Sequence, residues 1–211
     1  PKFGVDTANR LGLTIEAGQN NDIDYHKAFS AVLTSAHAPS MIGKERLNIA
    51  AVDGEFRDRS ICVLKDYIDR CSSYPQIKQV NMHFGLKRWV AENQIGGRIG
   101  DYDRHVDSIR TIAEHAERKG IELVMENLNS YWTQNGISDE TPYVDVDWTT
   151  KNEAFGMCPE EWIQMCLDVD RVNVKLCLDT SHVCTYAHRF PEDQREERIS
   201  KFLDKPELIK H

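Results

Sequence analysis

The sequence LCLDTSH, residues 176–182, joins an apolar run to an acid and, three residues later, to a histidine. The run from Val172 to Leu178 is mostly apolar, and it contains two β-branched residues. This composition is typical of a parallel strand that is covered on both faces. Asp179 then lies at the carboxyl end of the strand, and the turn after it can bring His182 to the same point. A carboxylate and an imidazole that converge in this way suit a divalent metal ion. The alternative is that Asp179 only caps a helix in the next segment.

The same pattern, an apolar strand that ends near a residue able to bind metal or substrate, recurs upstream. Strands are predicted at 31–38, 77–84 and 121–128, and their ends carry His37, His83 and Glu126. A shorter strand is predicted at 13–18 and another at 208–211. Apolar residues repeat with helical spacing between the strands, which predicts helices at 55–71, 103–119, 159–169 and 191–203.

Alternating strands and helices predict an α/β fold with a parallel sheet and crossover helices. A (β/α)8 TIM barrel and an open doubly wound sheet both satisfy this pattern. Several strand ends that carry site residues favour the barrel, because a barrel directs them to one centre. A full barrel takes about 250 residues, and this chain has 211. We therefore expect one TIM-barrel-like domain over 1–211 that is incomplete and truncated at the C-terminus, lacking its last one or two units, with the first strand also in question.

Composition limits the classes of function. The chain is 40% hydrophobic and 28% charged, with a net charge of −8, which is typical of a soluble globular protein and disfavours nucleic-acid binding. It contains no apolar run of 18 residues, so no membrane span is expected. The six cysteines form no CxxC pair, and we interpret them as reduced thiols of a cytoplasmic protein, with disulfides as the alternative. Exposed edges of an incomplete barrel would favour a homo-oligomer.

Five segments, in this order, resemble the xylose-isomerase-like TIM barrels, a group that holds sugar phosphate isomerases and epimerases and the endonuclease-IV-type enzymes. They are SAHAPS (35–40), VNMHFG (80–85), LVMENLNS (123–130), CPEEW (158–162) and LCLDTSH (176–182). The resemblance implies that Glu126 and Asp179 bind a divalent metal, which would be Mn, Mg, Co or Zn. It implies that His182 binds substrate in a sugar enzyme or metal in a nuclease. It likewise places His37 and His83 beside the substrate, or among the zinc ligands of a nuclease.

The resemblance also implies a histidine ligand on the next strand, where His211 is the candidate, and a last-strand glutamate that has no counterpart here. We expect Asn127, next to Glu126, to bind substrate. Trp132 lies in the long polar segment 129–157 together with other aromatic residues. We interpret this segment as a lid over a sugar, with Trp132 against the ring; a self-packed excursion or a subunit contact is the alternative.

The function implied is a divalent-metal-dependent sugar or sugar phosphate isomerase or epimerase. Such an enzyme moves a proton next to a carbonyl through a metal-stabilised enediolate, and Glu126 would be one of the two carboxylates that transfer it. One alternative is an endonuclease-IV-like metal-dependent phosphoesterase, which the two histidines His37 and His83 favour. Another is a non-catalytic, incomplete barrel that binds a ligand or partner. The number of bound metal ions would separate the first two.

Overall fold

The computed structural model describes residues 2–18, 33–88, 100–130, 145 and 153–210, without the side chains of residues 2–4. The strands in these ranges, in chain order, are β1 (Ile15–Ala17), β2 (Leu33–His37), β3 (Met41–Ile42), β4 (Glu45–Arg46), β5 (Gln79–His83), β6 (Leu86–Arg88), β7 (Glu122–Glu126), β8 (Glu153–Ala154) and β9 (Val174–Cys177). The α-helices are α1 (Lys2–Leu11), α2 (Gly54–Ser72), α3 (Tyr102–Arg118), α4 (Pro159–Val169), α5 (Thr180–Ala187) and α6 (Glu192–Ser200). Two short 3-10 helices follow, Lys201–Leu203 and Pro206–Leu208. None of the helices in these ranges is both long and apolar enough to cross a membrane.

The central sheet has five parallel strands in the order β1-β2-β5-β7-β9. Each of these strands therefore lies beside the one that precedes it along the chain. A doubly wound sheet would reverse this order at one point, whereas a barrel adds each strand to the same edge. The winding confirms the predicted barrel, of which the described residues form a part.

A sixth position in the sheet begins at Ile209. It forms a parallel bridge with Leu176, and the amide nitrogen of Lys210 donates to the Leu176 carbonyl oxygen at 2.9 Å. The sequence predicts a strand at 208–211. The bridge places Ile209 and Lys210 beside β9, whereas Leu208 ends the second 3-10 helix. Residue 211 lies outside the described ranges.

The two faces of the sheet differ in polarity. One face carries the apolar core under the helices, with Val80, Met82, Leu123, Met125 and Leu176 each no more than 1% exposed. Because successive side chains of a strand point to opposite faces, the residues between them form the other face. The polar members of that face include Ser35, His37, Gln79, Asn81, His83, Glu122 and Glu126. The strand alternation thus gathers the polar residues on the inner side of the barrel.

The predicted helices are confirmed at α2, α3, α4 and α6, with ends that differ by a few residues. Two features differ from the sequence prediction. Residues 180–187 form α5, for which the sequence gave no bounds, and Asp179 caps this helix as the alternative interpretation of that residue had it. The small antiparallel pairs β3–β4 and β6–β8 have strands of two or three residues, too short to give a periodic signal.

Candidate metal centre

The Glu126 side chain lies among the polar side chains at the carboxyl ends of the strands. Glu126 ends β7 and stands in register with His83 of β5 and with Cys177 of β9. Its Oε2 atom lies 3.1 Å from Nε2 of His37 and 3.8 Å from Nε2 of His83, and its Oε1 atom lies 3.4 Å from Nδ1 of His182. The Glu126 side chain is only 8% exposed. A buried carboxylate surrounded by imidazoles is a chemically suitable site for a divalent cation.

Two groups of side chains around Glu126 could each hold a metal ion. The first consists of His37, His83 and Glu126, and the second of Glu126, Asp179 and His182. Within each group the ligand atoms lie within 4.8 Å of one another. Ligand atoms bound to one ion at 2.0–2.6 Å cannot be more than about 5 Å apart. The strand ends that the sequence singles out therefore come together closely enough to share an ion.

Asp179 has two roles available, one for each carboxylate oxygen. Its Oδ1 accepts hydrogen bonds from the amide nitrogens of Ser181 at 2.7 Å and His182 at 3.0 Å, which caps helix α5. Its Oδ2 faces Nδ1 of His182 at 3.8 Å. The side chain is 34% exposed, so the carboxylate can cap the helix with one oxygen and bind a cation with the other.

The ring nitrogens of two histidines are distinguished by backbone contacts. Nδ1 of His37 lies 2.9 Å from the Ala38 carbonyl oxygen, and Nδ1 of His182 lies 2.7 Å from the Asn127 carbonyl oxygen. A carbonyl only accepts, so each Nδ1 carries a proton and donates. In a neutral His182 the lone pair is then on Nε2, which suits a histidine that binds a metal or a substrate hydroxyl. Nε2 of His37 faces Glu126 instead, and it donates there when the ring carries both protons, which the raised pKa of His37 favours.

Asn127 is fully buried, and its side chain is bonded to the backbone of Asp179. Its Oδ1 accepts from the Asp179 amide nitrogen at 2.7 Å, and its Nδ2 donates to the Asp179 carbonyl oxygen at 3.0 Å. The sequence suggests a substrate-binding residue at this position. The structure shows both of its polar groups bonded to the Asp179 backbone, and a contact with substrate stays a prediction.

Charges at the site favour an ionised Glu126. Burial raises the pKa of Glu126, but the hydrogen bond from His37, the proximity of His83 and the bond from Asn81 outweigh it and leave the pKa lowered. Burial alone would lower the pKa of His37. Its contacts with Glu126 and with the Ala38 carbonyl oxygen outweigh burial, so the pKa of His37 is raised. Burial and the neighbouring His37 lower the pKa of His83 to about 4. At neutral pH His83 therefore offers a lone pair.

His211 and Trp132, proposed from the sequence as a metal ligand and a substrate contact, lie outside the described residues. One site residue was missed by the sequence reasoning. Asn81 of β5 donates from Nδ2 to Glu126 Oε2 at 2.7 Å. Its spacing of two from His83 puts both residues on one face of the strand, and this spacing was the available signal.

The sequence profile of the xylose isomerase-like TIM barrel matches residues 24–210. The chain belongs to this family. Within it, the centre around Glu126 lies at the carboxyl ends of the strands, where TIM barrels place their active sites. A comparison with curated protein sequences found no match.

Three solved structures that share the fold resemble this chain to a similar degree. A D-tagatose 3-epimerase-like protein is 17% identical with a TM-score of 0.59, and the match covers 93% of this chain and 64% of that one. An L-ribulose 3-epimerase is 14% identical with a TM-score of 0.58, covering 87% and 56%. A xylose isomerase-like TIM barrel protein from Mycobacterium smegmatis, in complex with magnesium, is 16% identical with a TM-score of 0.58, covering 96% and 62%. At identities this low the structural likeness shows a common fold and no more. The chain spans between 56% and 64% of the length of these proteins.

Proposed function

We propose that this protein is a divalent-metal-dependent isomerase or epimerase that acts on a ketose or ketose phosphate. The observation that carries the proposal is the meeting of Glu126, Asp179 and His182, whose ligand atoms lie within 4.8 Å of one another at adjacent strand ends. The names of similarly folded proteins, which include a D-tagatose 3-epimerase-like protein and an L-ribulose 3-epimerase, support a ketose as the substrate class.

Glu126 and Asp179 would hold the cation, which would be Mn, Mg, Co or Zn. Carboxylate oxygens suit each of these ions, and the remaining free oxygen of Asp179 gives the second ligand. When bound, such a cation supplies positive charge next to the carbonyl oxygen that becomes negative when a neighbouring proton leaves.

Glu126 would accept that proton from the carbon next to the carbonyl and return it. It is buried, ionised and held by donors on one oxygen, so its geometry is fixed before the substrate arrives. His182 would bind a substrate oxygen through Nε2, because its Nδ1 proton is used by the Asn127 carbonyl. His37 would hold Glu126 from the other side.

Deuterium exchange tests the proposed role of Glu126 by itself. One base is enough to remove a proton from the substrate and to return a deuteron. The chain would be incubated in D2O with Mn²⁺ and a panel of ketoses and their phosphates, and exchange next to the carbonyl followed by NMR. We expect exchange with the wild type, a loss of about 100-fold or more in Glu126→Gln, and normal exchange in Glu122→Gln, a matched carboxylate at the other end of β7. An absence of exchange throughout the panel would contradict the proposal.

A phosphoesterase is the second candidate, because His37 and His83 form a separate ligand group with Glu126. Such an enzyme would use more than one ion to activate water and stabilise a leaving oxygen. Metal analysis of the purified chain distinguishes the two functions. One ion for each chain supports the isomerase. Two or three ions that are lost in His37→Ala and His83→Ala, together with hydrolysis of a phosphodiester, support the alternative.

A further inference from the structure

Asn81 is a buried amide in the middle of the polar face. It lies in β5, two residues before His83, and is 4% exposed. Its Nδ2 donates to Oε2 of Glu126 at 2.7 Å, a shorter contact than the 3.1 Å between Glu126 and His37. Asn81 is thus the nearer of these two hydrogen-bonding partners of Glu126 Oε2.

The orientation of the Asn81 amide follows from this contact. An ionised carboxylate only accepts hydrogen bonds, so the nitrogen of the amide faces Glu126 and the oxygen faces away. That oxygen, Oδ1, is buried and has no hydrogen-bond partner among the residues that the structure describes. A buried acceptor without a partner costs folding free energy. An asparagine would therefore not be expected at this position if stability alone determined the residue.

We infer that Asn81 is a positioning residue of the metal centre, whose amide holds Oε2 of Glu126 so that Oε1 stays on the side of His182 and Asp179. The inference rests on the proposed function, in which Glu126 is a metal ligand. Two donors from neighbouring strands, Asn81 of β5 and His37 of β2, fix one oxygen of the carboxylate. With one of them removed, the carboxylate can turn about its last bond and lose its alignment with Asp179.

The test measures Mn²⁺ affinity by titration calorimetry on the full chain, with the metal alone. In Asn81→Leu we expect the affinity to fall by about 10-fold to 100-fold, as is usual when a partner of a metal ligand is removed. We expect the stability without metal to change little, because leucine removes the unpaired oxygen while Glu126 Oε2 loses one of its two hydrogen-bonding partners and keeps His37. Asn81→Ala removes the same amide without the branched side chain, and it provides the affinity measurement if the leucine variant does not fold.

Gln79 offers a matched control. It lies two residues earlier in β5, and its Nε2 donates to Oε1 of Glu122 at 3.1 Å, which is the same amide-to-carboxylate bond away from the site. Gln79→Leu should leave the Mn²⁺ affinity unchanged. A purely structural role for Asn81 predicts the opposite of our expectation, namely a loss of stability with unchanged affinity, and that result would overturn the inference.

Glu126→Gln separates this inference from the proposal on which it rests. If Glu126→Gln loses Mn²⁺ while both Asn81 variants bind it as the wild type does, the inference about Asn81 fails and the metal site stands. If Glu126→Gln binds as tightly as the wild type, or if the wild type binds no Mn²⁺, both proposals fail. Loss in Glu126→Gln with weakened binding in the Asn81 variants supports both.

Discussion

The side chain of Asn127 forms two hydrogen bonds with the backbone of Asp179, at 2.7 Å to its amide nitrogen and 3.0 Å to its carbonyl oxygen. The carbonyl oxygen of Asn127 also accepts from Nδ1 of His182 at 2.7 Å. One buried residue therefore joins the end of β7 to the start of α5. Because Glu126 precedes Asn127 directly, these bonds fix the distance between the two carboxylates of the proposed metal centre.

Replacement of Asn127 by alanine should weaken both the fold and the metal site. The amide nitrogen of Asp179 would lose its acceptor, and an unpaired buried group costs about 1–3 kcal/mol. We expect a loss of that size in the free energy of unfolding, measured with urea. We also expect weaker binding of Mn²⁺ by calorimetry, because Asp179 would no longer be held beside Glu126.

Asn173→Ala is the control for this change. Nδ2 of Asn173 donates to the Ala113 carbonyl oxygen at 2.9 Å, which makes it a structural asparagine outside the site. It should lose stability without a change in Mn²⁺ affinity. Wild-type affinity in Asn127→Ala would show that the two bonds to Asp179 do not position the site.

Asparagine at position 179 should separate helix capping from metal binding. Oδ1 of Asp179 caps α5, and asparagine caps a helix about as well as aspartate does. Stability without metal should therefore change by no more than about 0.5 kcal/mol in Asp179→Asn. At about 100 times its dissociation constant, Mn²⁺ should stabilise the wild type by about 2.7 kcal/mol, and Asp179→Asn should lose most of this gain.

Asp179→Ala removes the cap as well as the ligand. It should cost about 1 kcal/mol without metal and should also lose the stabilisation by Mn²⁺. Thermal unfolding with and without Mn²⁺ measures both effects. If Mn²⁺ stabilises Asp179→Asn as much as the wild type, Asp179 serves only as a helix cap.

Elements with a periodic pattern of burial were predictable from the sequence. Helix α3 buries Val106, Ile109, Ala113 and Ala116 on the face that the spacing predicts. The apolar strands β5, β7 and β9 were predicted for the same reason, and the site residues at their ends followed from the strand boundaries. Burial against one core produces such patterns, so the fold and the position of the site can be derived from it.

Contacts that depend on the tertiary structure were not predictable in the same way. Asn127 was expected to bind substrate because it is adjacent to Glu126, but its two bonds to the backbone of Asp179, 52 residues later, leave no pattern in the sequence. Asn81 was missed because it stands inside an apolar strand. The bounds of helix α5 were not predicted, although a helix cap at Asp179 was one interpretation, because its start depends on the Asp179 side chain accepting from two backbone amides.

Gly100 lies where two backbone segments approach each other. A Cβ atom there would stand 2.0 Å from the Leu86 carbonyl oxygen and 3.1 Å from Cβ of Ala50. The amide nitrogen of Gly100 also donates to the Lys87 carbonyl oxygen at 3.0 Å, so the segment cannot move away without losing a bond. Gly100→Ala should cost about 3 kcal/mol or more, measured by urea unfolding.

Gly54 gives the matched comparison for Gly100. A Cβ atom at Gly54, the first residue of α2, meets only the far end of Arg57 at 3.8 Å. Gly54→Ala should therefore be neutral or slightly stabilising, since alanine is the better helix former. A Gly100→Ala variant as stable as Gly54→Ala would mean that the two segments do not approach this closely.

His105 should make the stability of the protein depend on pH. The residue is fully buried, its Nε2 accepts from the Gly85 amide nitrogen at 3.0 Å, and the rings of Phe84 and Phe155 pack against it. Burial lowers the pKa of His105 to about 3, from an ordinary value of 6.5. Between these two values the unfolded chain binds a proton that the folded chain does not. The stability that His105 contributes is therefore complete above pH 6.5 and decreases as the pH falls towards 3.

Comparison with His105→Gln isolates this effect, because the other titrating groups, including the site histidines, are common to both proteins. Glutamine does not titrate and retains an acceptor for the Gly85 amide. Between about pH 7 and about pH 5, the wild type should lose about 2 kcal/mol more than His105→Gln in the free energy of unfolding, measured with urea. Equal losses in the two proteins would show that His105 already binds its proton in the folded state near pH 5, which a fully buried ring between two phenylalanines should resist.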